Sequence, residues 1–447
     1  MTRSVGARNA EVTTDARSQV SAWAASGAMA LTGSPWSGSV GPPAGMVPKL
    51  LAVAELLRAP SPSLGGIVDV DPLALLGERA AISGFRRRGD ISCGGGTRLL
   101  PTIDRRWVAV TLARPEDVEL VPAWLEVVGT IDDPWSSVAD AVAARPVDAL
   151  IDHAVLLGLP VAVLPSARAD GAMSADPVPA DRISRPERSS AEGVVSADQL
   201  PIRSVRVGGP TPATGPMGGI VVLDLSSLWA GPLCGSLLAA AGATVIKVES
   251  ASRPDGARRG PSAFFDLLNA GKQSVALDLR TAEGVTQLHR LLAAADVVIE
   301  ASRPRALEQL GVDAMQVLAS GRTRVWASIT GHGRNGVGRD RVAFGDDAAV
   351  AGGLVCWAGE RPLFCADAVA DPLTGLVAAA GIIDALAAGG QWLLDLSMAE
   401  VATFFAGPTL PVPRDVGPVD PPRARVASGR GPLLGEHTAA VLAGVGR

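Results

Sequence analysis

The chain has 447 residues, 47% of them hydrophobic and 19% charged, with a formal net charge of −5. That length allows two or three domains with substantial cores, and the acidic balance gives no electrostatic footprint for nucleic acid or an anionic membrane. Its four cysteines and four histidines are scattered, without CxxC spacing, which argues against a disulfide framework and against a metal site.

The first twenty residues carry Arg3, Arg8, Asp15 and Arg17 but no apolar core, so no secretory signal is expected. The longest apolar candidate for a span, Leu237 to Val248, falls well short of the ~20 residues a bilayer requires. A cytoplasmic protein without membrane partners is the expectation.

In chain order, Leu50 to Arg58 and Leu73 to Gly84 read as helical, and Arg98 to Leu112 as strands around an Asp104-Arg105 turn. Helical patterns follow over Pro115 to Val128 and Trp135 to Leu157, and the strand Pro160 to Leu164 closes a small α+β unit. Ser166 to Met217, rich in Pro, Ala, Ser, Asp and Arg, has the composition of a flexible or extended tether.

Beyond it, strand and helix signals alternate. The buried strand Gly219 to Leu225 precedes a small-residue helix over Ala230 to Ala241, and Thr244 to Glu249 is the next strand. Ser274 to Leu279, the helix Glu283 to Ala295, and the strands Asp296 to Glu300 and Arg324 to Thr330 continue the series. Such alternation predicts an α/β fold, a Rossmann-like parallel sheet faced by helices. The turn after its first strand, Ser226 to Pro232, has no GxGxxG, so a dinucleotide cofactor has no support. The expected division is therefore 1–165, a 166–217 linker, 218–406, and a tail over 407–447.

Ahead of the apolar stretch Leu376 to Leu386 stands Asp371-Pro372. This pattern predicts an N-cap carboxylate with Pro at the first helical position. The positive end of a helix favours the ionised carboxylate, and an ionised, partly desolvated carboxylate is a competent nucleophile toward a carbonyl. A plain helix cap is the alternative reading of the same residues.

Several runs resemble the family III CoA-transferases, the group that includes formyl-CoA transferase and relatives of α-methylacyl-CoA racemase. They are Val222 to Ser226 with Ala230-Gly231-Pro232, Gly242 to Glu249, Asn269 to Leu279, Asp296 to Glu300 with Arg303-Pro304, Asp371 to Gly375, and Leu434 to Thr438. The first half resembles other parts of the same family. Trp23 to Gly33 with Gly41-Pro42-Pro43 is similar to the segment before the catalytic helix, whose counterpart in the second half is Ala351 to Gly359. Gly94 to Val110 and Gly158 to Val163 are similar to the family's small domain. The order reads as a rearranged fusion of two trimmed copies, the first of which has no carboxylate over Gly41 to Leu51.

The resemblance implies a Rossmann-like large domain, a small α+β domain and an interlocked homodimer. It also implies CoA transfer between carboxylic acids, with acyl-CoA and acid as substrates and no other cofactor. By the same resemblance Asp371 is the nucleophile, passing through an aspartyl acyl anhydride and an aspartyl-CoA thioester. Asp367 is its nearest competitor, and Asp346 and Asp347 are weaker ones. For CoA the resemblance points to the turn at Leu228 and Trp229, to Lys272 in the Asn-x-x-Lys run, and to Ala306. Arg253, or else Arg258 or Arg259, replaces a basic residue absent at Ser250. Gln309 stands where formyl-CoA transferase has another arginine, which argues against oxalate- or formate-like specificity. Gly94, Gly95 and Gly96 match a loop that closes over the aspartate in some members. Gly345 falls where the racemase branch carries its histidine, which disfavours racemisation. A non-catalytic CoA-binding subunit partnering a paralogue remains the alternative.

Overall fold

The computed structural model describes residues 15–445 except 37, 61–62, 130, 166–196 and 209–214. Its centre is a seven-stranded sheet. Across the sheet the order is Arg203–Arg206, Trp392–Ser397, Val325–Thr330, Val297–Glu300, Val221–Asp224, Thr244–Ser250 and Gln273–Leu277. All pairings are parallel except that of the Arg203–Arg206 edge. Register places Val298 opposite both Leu223 and Trp326. The central strands Val221–Asp224, Val297–Glu300 and Val325–Thr330 are mainly apolar and buried because helices cover both faces of the sheet.

Chain order runs outward from Val221–Asp224 in one direction, then restarts at the adjacent Val297–Glu300 and runs in the other. The two strands thus flank a topological switch point, and a crevice opens beyond their carboxyl ends.

The buried helix Ala370–Ala388 packs over the sheet against the helices Ala230–Ala240 and Met46–Arg58. By length and composition it is apolar enough to cross a membrane, but nearly all of it lies inside the core. Val20, Trp23, Leu50, Val53 and Leu57 share one apolar core with Leu233, Leu373 and Leu376. The core therefore does not divide near residue 165. The residues up to about Gly89 complete the large unit, and the small unit is narrower than sequence patterning suggested. It consists of the strands Thr97–Pro101, Trp107–Thr111 and Val161–Val163 with four short helices around Val108, Trp124, Val138 and Leu150.

Two further differences concern connections. Most of the expected tether, 166–196 and 209–214, lies outside the described residues. Within the tether, Arg203–Arg206 is an antiparallel edge strand against Trp392–Asp395, and Arg203 pairs with Glu400. Three of its four residues are charged or polar, as edge strands tolerate, which hid it from a reading based on apolar alternation.

The Pro/Arg-rich stretch 407–431 is likewise packed. Leu410 N–H donates to Pro42 O (2.9 Å), Asp420 N–H to Ala24 O (3.0 Å), and Arg425 forks onto the fully buried Glu78 (2.6 and 3.1 Å). The C-terminal segment is pinned to the Gln273–Leu277 edge. There His437 N–H donates to Ser274 O, and its ring Nδ1 accepts from Ser274 N–H (3.1 Å).

The two pre-helical segments that resemble each other in sequence have the same local form. The hairpin Gly33–Ser34/Gly38–Ser39 precedes the helix Met46–Arg58, and the hairpin Cys356–Ala358/Arg361–Leu363 precedes Ala370–Ala388. Gly89 bridges them, donating to Gly33 O and accepting from Phe364 N–H, both at 3.0 Å.

Candidate active site

Four carboxylates converge where the second hairpin turns into the long helix. Asp346 and Asp347 lie in the first turn of the helix Gly345–Ala351, Asp367 lies in the turn after the hairpin, and Asp371 lies in the first turn of Ala370–Ala388. The turn between Asp367 and Asp371 is held in an uncommon backbone state, with Ala366 and Ala368 at φ +54° and +42°. Such left-handed non-glycine residues persist only where surrounding contacts fix them. Here Ala366 N–H donates to Thr32 Oγ1 and Ala368 N–H to Asp346 Oδ1, each at 3.1 Å.

Asp371 is not the N-cap. Val369 already has helical dihedrals and occupies that position without a side-chain bond. The helix therefore begins two residues earlier than expected, at Ala370, so Asp371 sits second and Pro372 third. Pro is still tolerated there, because the first-turn N–H groups have no partner within the helix. The consequence is chemical: the Asp371 side chain is not consumed as a cap, yet it remains at the positive end of the helix.

The other three carboxylates are committed. Asp367 is fully buried and takes a two-pronged bond from Arg79, Nε to Oδ2 at 2.9 Å and Nη2 to Oδ1 at 2.6 Å. Asp347, also fully buried, accepts from Thr111 Oγ1 (3.0 Å) and Phe344 N–H (2.9 Å). Asp346 is buried and accepts from Ala368 N–H and the Ser92 hydroxyl. Asp371 alone of the four is only half-buried. Burial pushes its carboxyl up to about 7, while Arg79 opposes that shift, Asp346 and Asp367 add to it, and the Ala230 N–H bond opposes it again. Asp346 is pushed up to about 6 and Asp347 to about 7, each chiefly by burial. A carboxylate poised near neutral pH in a partly enclosed site is a recurrent feature of catalytic groups.

Gly345 is required by this packing. A Cβ there would overlap Asp371 Oδ2 and the Ala368 carbonyl, so no side chain fits at the position. Gly345→Ala is expected to displace the Asp371 turn, lowering stability by roughly 1–3 kcal/mol, which a urea titration reads directly.

The glycine turn expected near the aspartate is brought to this cluster. Ser92 bonds Asp346, Cys93 Sγ lies 3.3 Å from Ala366 O, and a Cβ at Gly94 would lie 3.6 Å from Arg79 Nη2. Gly95 has φ +80°, which suits a residue without a side chain.

The turn expected to meet CoA lies at the carboxyl end of Val221–Asp224. Leu228 is held at φ +70° with its N–H donated to Asp255 Oδ1 (2.9 Å), and its side chain is exposed. Beneath the turn, Lys247 Nζ reaches Ser226 O (2.9 Å) and Asp255 (2.8 Å). Trp229 is buried, stacked edge-on against Phe264 at 5.2 Å, with the Arg79 guanidinium 5.2 Å from its ring. Ala306 is exposed on the short helix Pro304–Glu308.

Lys272 departs from expectation. Its ammonium is fully buried, bonded to Asp224 Oδ2 (2.9 Å) and Pro232 O (2.8 Å). It has no surface to offer a phosphate. The Asn-x-x-Lys spacing places it under the helix Ala230–Ala240, where it neutralises a buried aspartate instead.

Available positive charge lies elsewhere. Arg253 is exposed and Arg303 half-buried, and among the described residues neither forms an ion pair. Partial burial, and after it the like charges of Arg305, Arg114 and Arg253, lower the pKa of the Arg303 guanidinium. Arg258 and Arg259 differ from each other. Arg258 is locked onto Glu249 (2.6 and 2.8 Å), whereas Arg259 is exposed. Arg79 was not singled out in the sequence, and Arg303 appeared there only in the Arg303-Pro304 pair, with no role in the site. Their sequence signals are an arginine beside Glu78 in the mainly apolar run Leu73 to Ile82, and one heading a helix just beyond a buried strand. Among the described residues no group of three or more His, Cys, Asp or Glu is disposed to hold a metal ion.

Residues 217–430 match the family described as CoA-transferase family III. Among curated proteins the chain is similar to the succinyl-CoA–D-citramalate CoA-transferase of Chloroflexus aurantiacus, 33% identical over 38% of this chain and 45% of that protein. It is also similar to the succinate–glutarate CoA-transferase of Agrobacterium fabrum, 32% identical over 42% of this chain and 52% of the relative. The formyl-CoA:oxalate CoA-transferase of Escherichia coli is 31% identical over 38% and 44%. The chain thus spans about half the length of the curated relatives it matches. Among solved structures, a CAIB/BAIF family protein from Brucella suis aligns at 32% identity over 44% of this chain and 55% of that one, with a TM-score of 0.39.

Proposed function

We propose that this chain, whose residues 217–430 match the family III CoA-transferases, moves CoA between two carboxylic acids through Asp371. The observation that carries the reading is the division among the four carboxylates. Three are held by structural bonds, whereas Asp371 is half open at the positive end of a helix and has a carboxyl that titrates near pH 7.

In the ionised form, an Asp371 oxygen adds to the thioester carbonyl of an acyl-CoA. The C–S bond breaks, CoA leaves as thiolate, and an aspartyl acyl anhydride remains. The thiolate then adds to the Asp371 carbonyl of that anhydride, releasing the donor acid and leaving an aspartyl-CoA thioester. The acceptor carboxylate attacks this thioester, expelling thiolate and forming a second anhydride. Thiolate attack on the acceptor acyl carbon gives the product acyl-CoA and regenerates the Asp371 carboxylate. The donor pair of oxygen and sulfur bonds is restored in the product, so the exchange is nearly thermoneutral.

Arg253 and Arg303, at the carboxyl ends of Thr244–Ser250 and Val297–Glu300, flank the crevice at the switch point and are the groups assigned here to CoA phosphates. Removing one such contact, as in Arg303→Gln, should raise KM for the acyl-CoA about tenfold and flatten its salt dependence, with little change in kcat. The site joins residues from both halves of one chain, Arg79 from the first and Asp367 and Asp371 from the second. A homodimer follows from the family resemblance, and sedimentation analysis checks it.

Transfer is favoured over racemisation because the position of the racemase histidine, Gly345, has no room for any side chain. The test is transfer of label from a ¹⁴C-carboxylic acid panel into the matching acyl-CoAs, run beside solvent-deuterium exchange into a 2-methylacyl-CoA. Label transfer without deuterium incorporation is expected. CoA binding without label transfer, restored on addition of a paralogous subunit, would instead make this chain a non-catalytic partner.

A further inference from the structure

The helix Glu78–Ser83 belongs to the half of the chain that lacks a nucleophile, yet it sends Arg79 into the carboxylate cluster. The placement is over-determined. Both prongs of the guanidinium are taken by Asp367, its faces lie 5.2 Å from the Trp229 ring and 5.7 Å from the Phe85 ring, and Glu78 beside it is clamped by Arg425. A planar fork matched to a carboxylate and stacked on aromatic rings is a geometry that lysine does not reproduce. The groups that face Asp371 come from each surrounding element. They are Arg79 from this helix, Asp346 from the helix Gly345–Ala351, Asp367 from the preceding turn, and the Ala230 N–H from the helix Ala230–Ala240. Cys93, on the glycine turn, faces Asp346, Asp367 and Arg79 as a buried neutral thiol. Three carboxylates therefore share one cation.

We infer that Arg79 is a positioning residue of the first half of the chain, whose fork on Asp367 holds the turn carrying Asp371 and whose charge favours the ionised form of Asp371. This rests on the reading of Asp371 as nucleophile, but it is testable without any substrate. A water-soluble carbodiimide activates only the protonated carboxyl, and glycine ethyl ester then traps it as an amide. The extent of amide formation on the Asp371 peptide, measured by mass spectrometry across pH 5–9, gives its titration midpoint. Removing a neighbouring cation raises a carboxyl pKa, and removing a neighbouring anion lowers it.

In the full-length chain Arg79→Gln should move the midpoint up by about one unit or more. Arg79→Lys, which keeps the charge but not the fork, should move it up by less than Arg79→Gln does, and Asp367→Asn should move it down. The double variant should return toward the parent value. A midpoint unmoved in folded Arg79→Gln and Asp367→Asn proteins would overturn the inference, as would failure of Asp371 to react at any pH in the parent. If Asp371→Ala retained CoA exchange while the midpoints moved as described, the nucleophile reading alone would fail. If Asp371→Ala were inactive and the midpoints did not move, the inference about Arg79 alone would fail.

Discussion

Asp371→Asn should abolish CoA exchange, by on the order of 10⁴-fold or more as for other covalent nucleophiles, while making the protein more stable at pH 8. The two effects have one cause. The folded state holds the Asp371 carboxyl near 7, well above its ordinary value of 3.8, mainly through burial. A group whose pKa is raised on folding binds its proton more tightly in the folded state. Its ionised form therefore costs stability, and the cost grows as pH rises from about 4 and is complete above about 7. Asparagine has no such cost. The variant should gain on the order of 1 kcal/mol or more over the parent at pH 8, and the gain should shrink toward zero near pH 4. Chemical denaturation at the two pH values, beside the exchange assay, checks both halves. A catalytic group that destabilises its own fold is the expected trade between activity and stability.

Lys272→Met separates the two readings of that residue. A lysine that bound a CoA phosphate would, when lost, raise KM and leave the fold alone. In the structure Lys272 is fully buried against Asp224, whose carboxyl is held down to about 2 despite its burial by Lys272, Lys247 and the Ser226 hydroxyl. Removing one partner leaves a buried charge with less compensation, at a typical cost of about 3–5 kcal/mol. The expected result is thus a large loss of stability, with KM for acyl-CoA close to the parent value in the fraction that folds. Arg303→Gln should show the opposite pattern. Because the Asp224 pKa is depressed, its stabilising contribution is present above about pH 4 and lost as pH falls through about 2.

The strands and helices of the second half were legible because burial on both faces of a parallel sheet writes continuous apolar runs such as Val221–Asp224 and Val297–Glu300 into the sequence. The small unit was legible from its hairpin and flanking helices. The edge strand Arg203–Arg206 was not, since a mostly charged and polar strand held by backbone bonds carries no apolar signature. The division at residue 165 misled for a different reason: Val20, Leu50 and Leu57 read equally well as a separate core or as part of a larger one.

At the site, Asp371 stood out by its Pro and its position before an apolar helix, and the structure shifts it by two positions, from the N-cap to the second residue of the helix. Arg79 was hidden because its partner, Asp367, is 288 residues away in the chain. Lys272 was misread because spacing reports that a lysine is present near a turn, not whether it points into solvent or under a helix.

The measurement that bears most directly on the whole account is chemical trapping at Asp371. The protein is incubated with a panel of acyl-CoAs and hydroxylamine, and released CoA and the peptide containing Asp371 are followed together by mass spectrometry. The account predicts CoA release with a hydroxamate on Asp371, and none on Asp346, Asp347 or Asp367. CoA binding with neither release nor adduct across the panel, or a hydroxamate on one of the other three carboxylates, would contradict it.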